Sequence, residues 1–147
     1  MKNKTINSII GRTIKEIRIR SFYLDLELVC EIISLFIRVD TEVWYKFSMC
    51  DGENFIEIFE EEPKEIMLNE IQDEFAYPIK TISSNYVDRK IIDIKEYIYK
   101  NLWDELNGFY IKLDNETGFS YFEENDCPMI FDGIKIDKEY SFVSSDQ

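Results

Sequence analysis

The chain has 147 residues, 45% of them hydrophobic, with thirty acidic side chains against seventeen basic ones and no histidine. That length suits one ordinary domain, able to bury roughly 68–70% of its unfolded surface without a disulfide or metal staple, and the apolar content is too high for a disordered acidic tail. A net charge of −13 repels nucleic acid and anionic membrane, and the missing histidine removes the Ser-His-Asp arrangement, the Cys-His pair and the commonest metal ligand together.

The acid is unevenly placed. Residues 1–20 hold six Lys/Arg and one acid, Glu16, whereas 51–75 hold ten acids and one lysine, and 101–147 eleven acids and three lysines. The start, MKNKTINSIIGR, carries no apolar run behind its basic residues, and no stretch is long and apolar enough for a membrane helix, so a cytoplasmic protein without a signal peptide is expected. Cys30, Cys50 and Cys127 are widely spaced and odd in number. They read as reduced thiols.

In chain order, residues 13–20 alternate as a strand, with Ile17 and Ile19 on one face and Arg18 and Arg20 on the other. Segment 24–34 reads equally as helix or strand. Residues 35–39 turn through Asp40-Thr41-Glu42 into 43–49, a hairpin, and Asp51-Gly52 turns into strand 54–59. Pro63 and the acids after it predict a helix over 64–75 with Met67, Leu68, Ile71 and Phe75 on one stripe. The spacing of Ile91, Ile94, Ile98, Leu102 and Leu106, stopped by Gly108, predicts a second helix over 91–106, although part of 86–99 also reads as strand. Hairpins follow at 109–113 with 119–123, and at 129–131 with 134–136. The sum is an α+β domain spanning 1–147: a mostly antiparallel, strongly curved sheet or half-barrel of about seven or eight strands with two helices. Two sub-lobes, 1–62 and 77–147, would be joined by the helical segment.

A faint repeat runs through these elements. Gly11–Ile17 resembles Tyr77–Ile82, Phe36–Asp40 resembles Tyr110–Asp114, and each half continues into an aromatic strand and then an acidic segment with a cysteine, at Cys50–Glu53 and Glu123–Cys127.

Little here carries catalytic chemistry. The five glycines stand apart, so no phosphate loop exists, and neither Asp51-Gly52-Glu53 nor Asp114-Asn115-Glu116 completes a calcium loop. Three scattered cysteines cannot close a zinc site. Neither cofactor nor metal is expected, nor catalysis. Glu57, between Phe55 and Phe59, is the first suspect for a raised pKa in a sugar-processing site, where carboxylate pairs work as acid and base. The bland reading of the acidic runs is a solvated surface. The sharper one is a face matched to a cationic protein, made of Phe55, Glu57, Phe59, Glu60, Glu61 and Glu62 from the first half and Tyr121, Glu123, Glu124 and Asp126 from the second.

In size, charge and these acidic-aromatic segments, Phe55–Glu62 and Tyr121–Asp126, the chain resembles bacterial toxin immunity proteins of the contact-dependent growth inhibition type. The resemblance is one of class and rests on no motif. It implies a cytoplasmic antitoxin that binds and blocks a basic toxin domain, often a nuclease, with no direct nucleic-acid or membrane contact. Carboxylates would stand where substrate phosphates bind, and aromatics would form the buried anchor. A nucleic-acid mimic that blocks DNA-binding proteins uses the same charges, and a small-ligand or sugar-processing domain is the further alternative.

Overall fold

The computed structural model describes residues 2–99, 106–124, 126–134 and 140–144. Runs rich in Ile, Phe, Tyr and Val become strands, because branched and aromatic side chains pack well on a half-buried pleated surface. Strands β1 (Ile14–Leu24), β2 (Glu27–Val39), β3 (Trp44–Cys50) and β4 (Glu53–Phe59) form one antiparallel meander. Two short strands, β5 (Phe75–Ala76) and β6 (Ile79–Thr81), pair with the free side of β1 and complete a six-stranded sheet. A second meander runs through β7 (Ile91–Tyr99), β8 (Leu106–Leu113), β9 (Gly118–Glu124) and β10 (Cys127–Asp132), and β11 (Tyr140–Ser144) joins β7 to make a five-stranded sheet.

The two sheets share one apolar core. Ile17, Ile19, Leu35, Ile37 and Phe47 of the first meet Ile94, Phe109, Ile111, Phe119 and Tyr121 of the second, and Ile6 and Ile9 of the N-terminal helix α1 (Lys2–Ile9) join them. The rings of Phe47 and Phe109 stand edge to face at 5.1 Å. Asn54 of β4, fully buried, crosses to β8: its side-chain oxygen accepts from the Gly108 N–H at 2.9 Å, and its amide donates to the Gly108 carbonyl at 2.8 Å and to Glu96 at 3.3 Å. Gly108 is required there, at φ +151° with the Tyr121 carbonyl only 2.6 Å from where a Cβ would sit. A Cys30–Cys127 disulfide ties β2 to β10, so the expectation of three reduced thiols does not hold. Only Cys50 is free among the described residues.

The repeat is present, in a register that the sequence hid. Ile14, Glu16 and Ile17 pair with Val39, Arg38 and Ile37, and Ile91, Asp93 and Ile94 pair with Leu113, Lys112 and Ile111. A register shift falls between the first and second members of each set. Three turn positions repeat their left-handed conformations: Gly11 (φ +89°) with Asp88 (+70°), Glu42 (+68°) with Glu116 (+60°), and Gly52 (+76°) with Asp126 (+67°). The meanders meet at a pseudo-two-fold point, the Thr13–Lys90 bridge. Around it the Gly11 N–H donates to Ile91 O at 2.7 Å and the Ile91 N–H to Arg12 O at 2.8 Å, mirrored by Asp88 to Ile14 O at 2.7 Å and Ile14 to Arg89 O at 2.9 Å. The counterpart of Gly11–Ile17 is therefore Asp88–Ile94. Tyr77–Ile82 belongs instead to the piece that pairs with β1.

Two sheets thus replace the single curved sheet or half-barrel, and neither predicted helix forms. Residues 64–75 cross the rim of the first sheet as an extended strap with one 3-10 turn, Leu68–Glu70, because Ile66 forms a bridge to Ile79 and leaves Met67 exposed. Residues 91–99 are β7, and 100–105 lie outside the described residues. The register shift in β7 lets Ile91 and Ile94, three apart, both face the core. A bulge of this kind imitates helical spacing. Segment 24–34 resolves into the β1–β2 hairpin, and of the hairpin expected from 129–131 and 134–136 the first strand is β10, while 135–136 lie outside the described residues.

Candidate functional site

The residues expected to meet a partner are scattered. On the edge strand β4, Phe55 and Glu57 are exposed, whereas Phe59 is half-buried with its ring edge-on to Phe36 at 5.3 Å. Glu60 and Glu61 are exposed. Glu62 is engaged in an ion pair with Arg18 at 3.0 Å. Tyr121 is not on the surface at all: it is fully buried, its hydroxyl donates to the Ile32 carbonyl at 3.2 Å, and burial pushes its phenol pKa well up. Its neighbour Phe122 is likewise buried. Glu123 and Glu124 are half-buried at the end of β9, and Asp126 is exposed in the following turn. The two acidic halves approach each other around Cys50, whose thiol is pushed up first by Asp51 and then by its slight desolvation, Glu123 and Glu53. The Glu60–Glu62 run follows the far end of β4, next to Arg18.

Arg18 explains how the strap is held. It is 8% exposed, donates to Glu16 at 2.7 Å and to the Pro63 carbonyl at 2.8 Å, and lies 4.8 Å over the Trp44 ring. Arg38 completes the network through Glu16 and Glu42. Burial raises the Glu16 pKa, but the hydrogen bond and charge of Arg18, with Thr81 and Arg38, outweigh it and leave the carboxyl below its usual range. The adjoining hollow, 560 Å³, is walled by Glu16, Arg38, Trp44, Phe59, Glu60 and Glu62. Its one lining arginine among the described residues, Arg38, is already matched by Glu16 and Glu42, so the hollow reads as part of the buckle that fastens the strap.

The tip of the β1–β2 hairpin has the opposite character. Asp25 (φ +49°) and Leu26 (φ +68°) form a two-residue turn of the kind that favours Asn-Gly. A leucine in the left-handed region costs roughly 1–2 kcal/mol, and Leu26 is also 75% exposed. Leu24, Leu28 and Val29 are exposed beside it. β5 brings Phe75 alongside Leu24, and Phe22 stacks between Phe75 and Tyr77 with centroids at 6.3 and 5.2 Å. Acids border this apolar surface, Asp25, Glu27 and Glu31 on the hairpin and Glu70, Asp73 and Glu74 on the strap, and neither 21–37 nor 65–79 contains a Lys or Arg. Sequence reading passed over this site. Its signals were the alternation Leu24-Asp-Leu-Glu-Leu28 and the long basic-free run around it.

Among the described residues, no cluster of three or more Cys, Asp or Glu is arranged to hold a metal ion, and no helix is long and apolar enough to cross a membrane. No family model, curated protein or solved structure matches the chain.

Proposed function

We propose that this chain is a binding protein of the immunity type, which docks on a basic toxin domain and blocks it by occlusion. The observation that supports this most is the β1–β2 tip. An apolar cap held in a costly turn conformation and rimmed by carboxylates, on chain segments that hold no Lys or Arg, suits an apolar hollow ringed by Lys and Arg. Buried aromatic and aliphatic anchors supply most of the energy of such an interface, while rim charges mainly set the on-rate. On this reading Glu60 and Glu61 steer, and Leu24, Leu26, Leu28 and Phe75 anchor.

The cytoplasmic part of the proposal meets a direct test in the Cys30–Cys127 pair, since the cytosol keeps such thiols reduced. For the function, the chain is co-expressed with the product of its adjoining reading frame and association is followed at rising salt. The expected result is one tight complex whose association slows with salt. Leu26→Asp with Leu28→Asp weakens it at least tenfold through faster dissociation, whereas Glu60→Lys with Glu61→Lys mainly slows association. Binding indifferent to salt and to both double variants would sink the proposal.

A further inference from the structure

Three arginines lie on or beside the outer face of the first sheet, and two are neutralised. Arg18 has Glu16 and Glu62, and Arg38 has Glu16 and Glu42. Arg20, half-buried two positions along β1 from Arg18, has no carboxylate within ion-pair distance among the described residues, and its guanidinium sits 5.3 Å over the Phe36 ring. In a chain with thirty acids this is a conspicuous omission. Partial burial without a matching charge disfavours its ionised form, the reverse of the net effect on Arg18. Arginine nevertheless stays protonated in proteins, so the cost is carried by the fold.

Arg20 borders an open groove of 440 Å³ whose other walls are Ile33, Ile66, Tyr77 and Ile79. Among the described residues, no carboxylate lines it. That volume falls within the range of small-ligand sites, which are mostly apolar with a few polar groups that fix orientation. We infer that this groove binds a carboxylate bearing an apolar tail, with the Arg20 guanidinium taking the carboxylate and Ile33, Ile66, Ile79 and the Tyr77 ring taking the tail. A planar guanidinium fork matches a carboxylate bidentately, and a weakly hydrated cation against an aromatic face gives up little water on binding. The inference is independent of the proposed toxin partner, because the groove lies to one side of the hairpin tip and requires the opposite charge. A free fatty acid and the C-terminal carboxylate of a peptide ending in leucine present the same chemistry, and the test separates them.

The intact protein is titrated with decanoate, with decanol and with an acetylated tripeptide ending in free leucine, below micellar concentrations. Binding is read by calorimetry and by amide shifts at Arg20 and Tyr77. At least one carboxylate should bind, at least tenfold tighter than decanol, and which one does identifies the source. Arg20→Gln should lower carboxylate affinity at least tenfold and leave decanol unchanged, and Arg20→Lys should recover part of the loss. Should Arg20→Gln fail to fold, Ile66→Ser, on the exposed wall, should weaken the carboxylate and decanol alike. Equal affinity for decanol and both carboxylates, an Arg20→Gln protein that binds as the parent does, or no carboxylate binding at all overturns the assignment.

Discussion

The two meanders share a backbone plan and differ in what they show to the outside. Facing inward, four matched pairs keep their chemistry: Ile17 and Ile94, Ile37 and Ile111, Phe47 and Tyr121, Ile56 and Ile130. Facing outward they part. Arg20 is matched by Tyr97, Lys46 by Ser120 and Glu57 by Phe131. The second sheet gathers Tyr97, Tyr110 and Phe122 into a buried aromatic cluster in which the Tyr97 and Ser120 hydroxyls lie 2.7 Å apart. The first carries charges and is crossed by the strap. A shared core restricts both inner faces because packing density admits few alternatives. The outer faces are released from that restriction, and the features that point to binding lie on and around the first of them.

Inside the core the symmetry breaks at Asn54, whose matched residue in β10 is Pro128, and at its partner Glu96, which stands where the first meander has Ile19. Asn54→Ala orphans the Gly108 N–H and carbonyl, and each orphaned buried group costs about 1–3 kcal/mol, so a loss of roughly 2–5 kcal/mol is expected in urea unfolding. Pro128→Ala should cost no more than about 1 kcal/mol. Equal losses would mean that the asymmetry carries no energy.

Tyr86 comes next. It takes the place that Ile9 holds before the first meander, stacks on Phe119 at 4.3 Å and donates to Asp132 at 2.9 Å. Burial, then that hydrogen bond and charge, push its pKa from 10.0 to about 12. A phenol whose pKa is raised on folding contributes stability that is whole below the unfolded value and fades as pH climbs through the folded one. Unfolding free energy should therefore fall between pH 10 and 12, and Tyr86→Phe should flatten part of that fall. Tyr121, shifted in the same direction, leaves a remainder. An unchanged pH profile in Tyr86→Phe would contradict the assignment.

The smallest effect concerns the repeated turns. Asp126→Gly gives the second meander the residue that the first already has at Gly52. Relief of a left-handed non-glycine should raise stability by up to about 1 kcal/mol, and Gly52→Asp should lower it by a similar amount. Thermal melts of both variants check the pairing, which is broken if the two shifts share a sign.

Much of the strand content was legible. Alternation marked 13–20, 35–39, 43–49, 54–59, 109–113 and 119–123, and Asp51-Gly52 marked its turn. The isoleucines of β7 misled because a bulge places residues three apart on one face, so a strand acquires the spacing of a helix. The strap misled because the acids after Pro63 and the apolar stripe behind them satisfy helix rules locally, while the bonds that hold it extended come from Arg18 and Ile79, distant in sequence. Tyr121 was taken for a surface aromatic because its acidic neighbours, Glu123 and Glu124, lie past the point where β9 leaves the core. The Arg20 groove was invisible, since what distinguishes it is the carboxylate that no neighbouring strand supplies.

The Cys30–Cys127 bridge ties the two sheets together and also divides the chain by what can be pulled out of it. Everything from Cys30, within β2, through β9 lies inside the closed covalent loop. Tension applied at the two termini bypasses that loop through the sulfurs, so only the segments before Cys30 and after Cys127 can lengthen while the bond lasts. The shared core would then be loaded through β1 alone on one side. The oxidised protein should behave under force as a short, stiff link, and the reduced one as a full-length chain able to pay out both meanders.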